Sequence, residues 1–152
     1  MGPAKLASAI GKGLFAGAAG TAAMTLSSTI EQRIRGRSGS SAPADAAGKV
    51  LGVEPASPQG EQRFTNVVHW GYGTSWGAAR GLLWAACAHG WQATVLHFAA
   101  VWGSSLVMLP VLEVAPPATQ QDAKETIVDA MHHLVYATAT TMIYELLDRD
   151  RE

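Results

Sequence analysis

FTNVVHWGYGTSWGAARGLLWAAC, residues 64–87, carries one charged side chain, Arg80, along its whole length. As a helix rising 1.5 Å per residue it is about 36 Å long, enough to cross a hydrocarbon core of about 30 Å. Three other stretches are as sparing of charge. Leu6 to Ile30 holds only Lys12, Trp91 to Ala115 only Glu113, and Ile127 to Leu147 only Asp129 and Glu145. The pattern predicts an all-α protein, a four-helix transmembrane bundle with helices over 6–30, 64–87, 91–115 and 127–147, in one integral membrane domain over 1–152. Mean hydropathy is only +0.10 and the first stretch is weakly apolar, so a water-soluble bundle of Ala-rich helices is the alternative.

Two patterns favour the bilayer. Trp84 and Trp91 flank the turn Ala88-His89-Gly90, and Trp70 lies toward the other end of the second helix, the levels at which interfacial tryptophans sit. Gly73, Gly77 and Gly81 recur at four-residue spacing and predict a groove, for which Gly13, Gly17 and Gly20 on the first helix are the matching surface. Each glycine costs a soluble helix about 1 kcal/mol against alanine, so this many call for a packing reason.

Composition narrows the classes of function. With 15% charged residues and a net charge of −1 there is no general basic face for nucleic acid. One cysteine, Cys87, excludes an internal disulfide and is expected to pack inertly in its apolar run. No phosphate-binding glycine loop, nucleophile elbow or His-Glu-x-x-His is present. The first helix is expected to be retained rather than cleaved as a leader, because Lys12 interrupts its apolar run. Basic residues do not set an orientation. Arg33, Arg35, Arg37, Lys49, Arg63 and Lys124 fall on one side and Lys5, Lys12, Arg80, Arg149 and Arg151 on the other.

The 31–63 connection is expected to carry a short surface helix over 43–52, opened near Pro43 and closed by Gly52. Arg33, Arg35 and Arg37 would attract anionic headgroups if they were not simply solvated.

An element recurs in the chain: His69-Trp70-Gly71-Tyr72-Gly73 and His133-Leu134-Val135-Tyr136-Ala137. It suggests two parallel helical-hairpin repeats, with His69, His132 and His133 at one depth and His97 near the opposite boundary. Helical spacing gathers His69, Gly73, Trp76, Gly77 and Arg80 on one stripe, and His133, Tyr136, Ala137, Thr140 and Tyr144 on another. Polar groups in a bilayer turn inward, so both stripes are expected to face the interior. Three uses of the histidines follow. His69 and His133 would ligate haem b, with Tyr72 and Tyr136 as outer partners. His69, Asp129, His132 and His133, joined by Glu31 or Glu113, would hold a small metal. Or the histidines simply hydrogen-bond across the bundle and hold helices together. Arg80 is expected to snorkel or to pair with Glu145, and Pro110 to kink the third helix.

The run from Gly13 through Gly20 leading to Glu31 and an arginine-rich turn, the stretch from His69 through Gly81, and Asp129 with His133-Leu134-Val135-Tyr136 resemble the uncharacterised YagU-like inner-membrane proteins of bacteria. The resemblance covers most of the chain. It implies a multi-pass location in the bacterial cytoplasmic membrane and no established catalytic residues. The expected function is non-enzymatic: a small polytopic protein working through helix packing, as an assembly or accessory subunit or a homo-oligomer. The alternatives are a haem- or metal-binding module on His69 and His133, and a small-solute channel or transporter built on Arg80.

Overall fold

The structure is a computed structural model and describes residues 2–149. Among these residues the fold is all-α. The helices are α1 (Pro3–Arg35), α2 (Ala42–Leu51), α3 (Pro58–Ala85), α4 (Gly90–Val111) and α5 (Ala123–Arg149), with a single 3₁₀ turn at Ala118–Gln120.

Local chemistry explains where the helices begin and end. Gly36 takes a left-handed φ of 63° and returns its N–H to the Gln32 carbonyl, closing α1. Ser57 caps α3 by accepting the Gly60 N–H at 3.1 Å, and Pro58 follows at the first helical position. Helix α3 therefore starts six residues before the expected 64, because Glu61 is favoured in its first turn and Gln62 and Arg63 stay exposed in the next. Asp122 caps α5 by accepting the N–H groups of Lys124 (2.9 Å) and Glu125 (3.2 Å). Pro110 lies inside the last turn of α4, where its missing N–H leaves the Leu106 carbonyl without its usual helical donor, and the helix ends at Val111 rather than 115.

The long helices alternate in direction. Lys12 near the start of α1 meets Asp148 near the end of α5, and Arg35 at the end of α1 meets Glu125 at the start of α5. Helix α1 packs on α3 and α5, and α4 lies against α3 and α5 from the other side. One end gathers the start of α1, the α3–α4 turn and the end of α5, and is called the terminal end below. The other end carries α2 and is the loop end. Helix α2 buries Ala44 and Ala46 and packs on α3, while Lys49 Nζ donates to the Leu112 and Glu113 carbonyls beyond α4 at 2.7 and 3.1 Å.

The α1–α3 seam is built of backbone. A Cβ on Gly17 would lie 2.7 Å from the Gly77 Cα, and one on Gly77 would lie 2.6 Å from the Gly17 Cα, distances that real side chains do not tolerate. Gly13 and Gly81 meet backbone in the same way, and Gly73 faces the Thr21 side chain. Gly20 departs from the expected match with α3. It turns to α5, under Thr140 and the backbone of Tyr136.

Among the described residues one helix, α4, is long and apolar enough to cross a membrane by length and composition. The expectation of four spans is therefore not carried by hydropathy. Helices α1, α3 and α5 are diluted by the small and hydroxylated residues that let them pack closely.

Candidate functional site

The interior of the bundle is polar. Arg80, Tyr136, Tyr144, His97, Thr21 and Thr140 are the largest fully buried side chains, while the apolar residues of the core are alanines and Val101 beside the two tyrosines. Large apolar side chains face outward instead: Ile34 is 80% exposed, Val111 75%, Trp91 74% and Phe15 65%.

Helix α3 places Arg80 wholly out of solvent. Its guanidinium carbon lies 4.4 Å from the centre of the Tyr144 ring, and Nη2 stands 3.5 Å from a Glu145 carboxylate oxygen. The ring quadrupole and the carboxylate both favour the cation, yet none of the guanidinium nitrogens has a hydrogen-bond partner among the described residues. The same Glu145 oxygen accepts the Gly90 N–H at 2.8 Å and so caps α4. Of the two expectations for Arg80, pairing with Glu145 is the geometry seen. Snorkelling is not, since the side chain reaches no solvent.

Toward the loop end, Tyr136 donates its hydroxyl to the Gly73 carbonyl at 2.6 Å. Its ring centre is 5.5 Å from that of His97. His97, placed near the opposite boundary by sequence, is fully buried in α4. It donates Nε2–H to the Trp76 carbonyl at 3.0 Å, which leaves Nδ1 as a bare acceptor. Asp129 bridges α4 and α5 by accepting the Trp102 indole N–H at 2.9 Å.

The other histidines each serve a separate contact. Thr25 gives its hydroxyl hydrogen to the Thr21 carbonyl, so it accepts from His69 Nε2 at 2.8 Å and ties α3 to α1. His132 Nδ1 lies 2.9 Å from the Ser27 hydroxyl, with Nε2 3.7 Å from Glu31. His133 donates Nδ1–H to the carbonyl of Asp129, one turn earlier in its own helix. The expectation that His133 faces the interior is corrected, because His132 occupies that position and is buried. Neighbouring helical residues point about 100° apart, and depth alone does not separate them. The repeat is not matched in space either. Tyr72 is 39% exposed where Tyr136 is 2%.

These contacts bear on the ligand sets. His69 and His133, named for haem b, hold different partners on different helices, and Tyr72 does not pack as Tyr136 does. For the metal set of His69, Asp129, His132 and His133, no group of three or more His, Cys, Asp or Glu side chains suited to a metal ion forms among the described residues. The physical reason is spacing. Asp129 and His133 are one turn apart and bond to each other's groups, while His132 turns away to Ser27.

At the loop end an ionic cluster closes the bundle. Glu31 accepts from Arg37 at 2.5 and 2.9 Å and from Arg35 at 2.9 Å, and Arg35 also engages Glu125. The Arg37 hydrogen bonds hold the Glu31 carboxyl down at about 2, with Arg35 adding to the effect, and Arg35 lowers Glu125 likewise. Arg35 and Arg37, expected to attract headgroups if not simply solvated, are paired with acids of the same chain and remain partly exposed.

At the terminal end a basin of about 270 Å³ is lined by Lys5, Ser8, Lys12, Trp84, Tyr144 and Asp148. Lys5, Ser8 and Lys12 share one face of α1, and only the fold brings Trp84 of α3 and Tyr144 and Asp148 of α5 to them. Cys87, expected to be buried, is exposed in the adjoining α3–α4 turn with a left-handed φ of 62°. No family model, curated protein or solved structure matches the chain.

Proposed function

We propose that this chain is a multi-pass protein of the bacterial cytoplasmic membrane that acts through helix packing, as a subunit of a homo-oligomer or of a larger membrane assembly, without a catalytic step. The observation that carries the proposal is the inverted burial. A protein folded in water hides its leucines, isoleucines and phenylalanines and leaves arginine and histidine outside. Here Arg80 and His97 are 0% exposed, while Phe15, Ile34, Val67 and Val111 face outward. Lipid reverses the preference, because polar groups find partners only within the bundle and apolar groups cost nothing against acyl chains. Each of the four long helices, at 22 to 33 residues, also exceeds the roughly 30 Å of a hydrocarbon core. The resemblance to YagU-like inner-membrane proteins points the same way.

Carbonate washing tests the location. The protein is expected to stay with the membrane until detergent is added, and recovery in a detergent-free supernatant overturns the proposal. Topology is read from single cysteines. Native Cys87 lies at the terminal end, and Ser38→Cys in a Cys87→Ser background places a thiol at the exposed loop end. One span, α3, separates the two positions, so an impermeant maleimide is expected to reach them from opposite sides of the membrane. For the subunit role, the mass in mild detergent, corrected for bound detergent, is expected to be a multiple of 15.9 kDa or to include a co-purifying subunit.

A small-solute pathway is the second reading, favoured by the buried guanidinium of Arg80 with its unpaired donors. Flux into proteoliposomes that Arg80→Ala abolishes would establish it over a purely packing role.

A further inference from the structure

We propose that the terminal-end basin binds a phosphate group, carried by an anionic phospholipid or supplied as free phosphate. The cavity, at about 270 Å³, is close to the roughly 300 Å³ at which pockets for small organic ligands begin. Its lining brings donors from two helices to one place: the ammonium groups of Lys5 and Lys12 and the Ser8 hydroxyl along one face of α1, and the Tyr144 phenol from α5. A phosphate offers several strong acceptor oxygens and takes up such scattered donors better than a planar carboxylate does.

Two features distinguish the basin from a patch of surface lysines. Tyr144 is wholly buried, lines the cavity and has no partner for its hydroxyl among the described residues. Behind its ring lies the Arg80 guanidinium, 4.4 Å from the ring centre, adding a positive charge beneath the floor. Two acids oppose this field, each beside one of these cations, so that Lys5, Lys12, Arg80, Asp148 and Glu145 together leave one net positive charge. Asp148 takes a 2.7 Å bond from Lys12, and Glu145 holds the Gly90 N–H and stands 3.5 Å from Arg80. Lys5 belongs to the opening turn of α1, where the helix dipole also favours an anion. Trp84 supplies an amphipathic wall of the kind found at headgroup level.

The basin does not depend on the membrane proposal. Free-phosphate binding by a water-soluble protein would support it, whereas a membrane-retained protein that binds no phosphate would overturn it alone. The test uses the full chain in a phosphate-free maltoside detergent, titrated separately with sodium phosphate and with short-chain phosphatidylglycerol. Tryptophan emission reads binding, and Trp84→Phe assigns the signal. A saturable response to phosphatidylglycerol alone identifies a lipid source, and one to inorganic phosphate identifies a free one; either supports the proposal. Lys5→Gln is expected to weaken binding about fivefold and Tyr144→Phe about tenfold, the losses of one nearby charge and of one hydrogen bond to a charged group. Tyr144→Phe keeps the ring over Arg80, and an unchanged helical circular dichroism spectrum and melting temperature show that the variant folds. No saturable response to either probe, or a response that both variants leave intact, overturns the proposal.

Discussion

Helix α1 holds its two neighbours by different balances of contact: backbone approach with one Thr25–His69 bond toward α3, and polar pairs with one close glycine, Gly20, toward α5. Toward α3 it offers Gly13 and Gly17, and the two backbones touch with no side chain between them. Toward α5 it offers polar side chains at intervals along its length: Lys12 to Asp148, Ser27 to His132, and Arg35 to Glu125. The first seam is a matter of shape and depends on what is missing. The second is a series of directional contacts between side chains. Close approach suits the long α1–α3 contact because dispersion falls off steeply with distance. The α5 side is spaced by tyrosines and histidines that need partners, and it finds them on α1, α3 and α4.

The largest expected effect breaks the shape-held seam. Gly17→Leu drives a branched side chain into the Gly77 backbone and is expected to cost about 3 kcal/mol or more, or to prevent folding, in thermal unfolding followed by circular dichroism. Gly11→Leu is its control, since a Cβ there meets nothing within 4 Å. An equal loss from both variants would mean that the seam is not what glycine protects.

On the polar side the steps are smaller. Tyr136→Phe removes the hydroxyl bond to the Gly73 carbonyl while keeping the ring on His97, and is expected to cost about 1 kcal/mol in the same measurement. Acid separates the loop end from the rest. Glu31 is lowered from 4.5 to about 2 when folded, so its stabilising contribution is complete above pH 4.5 and is lost as the pH falls toward 2. Glu125, also lowered by Arg35, adds in the same direction. Hydrogen exchange is expected to quicken between pH 4.5 and 2, after correction for intrinsic rates, at the end of α1 and the start of α5 and not along the glycine seam. Glu31→Gln should abolish most of that dependence. The smallest effect is expected of His133→Ala, within about 0.5 kcal/mol of the parent, because that histidine bonds only within its own helix turn. His132→Ala, which removes a buried partner of Ser27, is expected to cost more than His133→Ala.

Much of the fold is legible in the spacing of charges, because a helix that must pack on several neighbours keeps charge off most of its length. Element ends are less legible by that measure. The expected start of α3 at 64 follows the last charge of the loop, whereas the helix starts at Pro58, where Ser57 supplies the cap. The site was half legible. Arg80 and Glu145 stand out as charges in apolar surroundings, and they meet. The pairing of His69 with His133 follows a short repeated word that has no counterpart in space. A stricter signal lay in α5 itself, where His132, Tyr136, Thr140 and Tyr144 recur at every fourth residue and all are buried. The basin was not legible, because Lys12 and Asp148 are separated by 136 positions and nothing local links them.

The amino-acid sequence by itself determined the long helices, the small residues that allow them to approach, and the rarity of charge between their ends, since all three depend on composition and short-range spacing. Tertiary structure alone decided which of two adjacent histidines turns inward, that Gly20 serves α5 rather than α3, and that Lys5, Lys12 and Tyr144 share a basin above Arg80. Those outcomes depend on the rotation of each helix about its own axis, and that angle is fixed only when neighbouring surfaces meet.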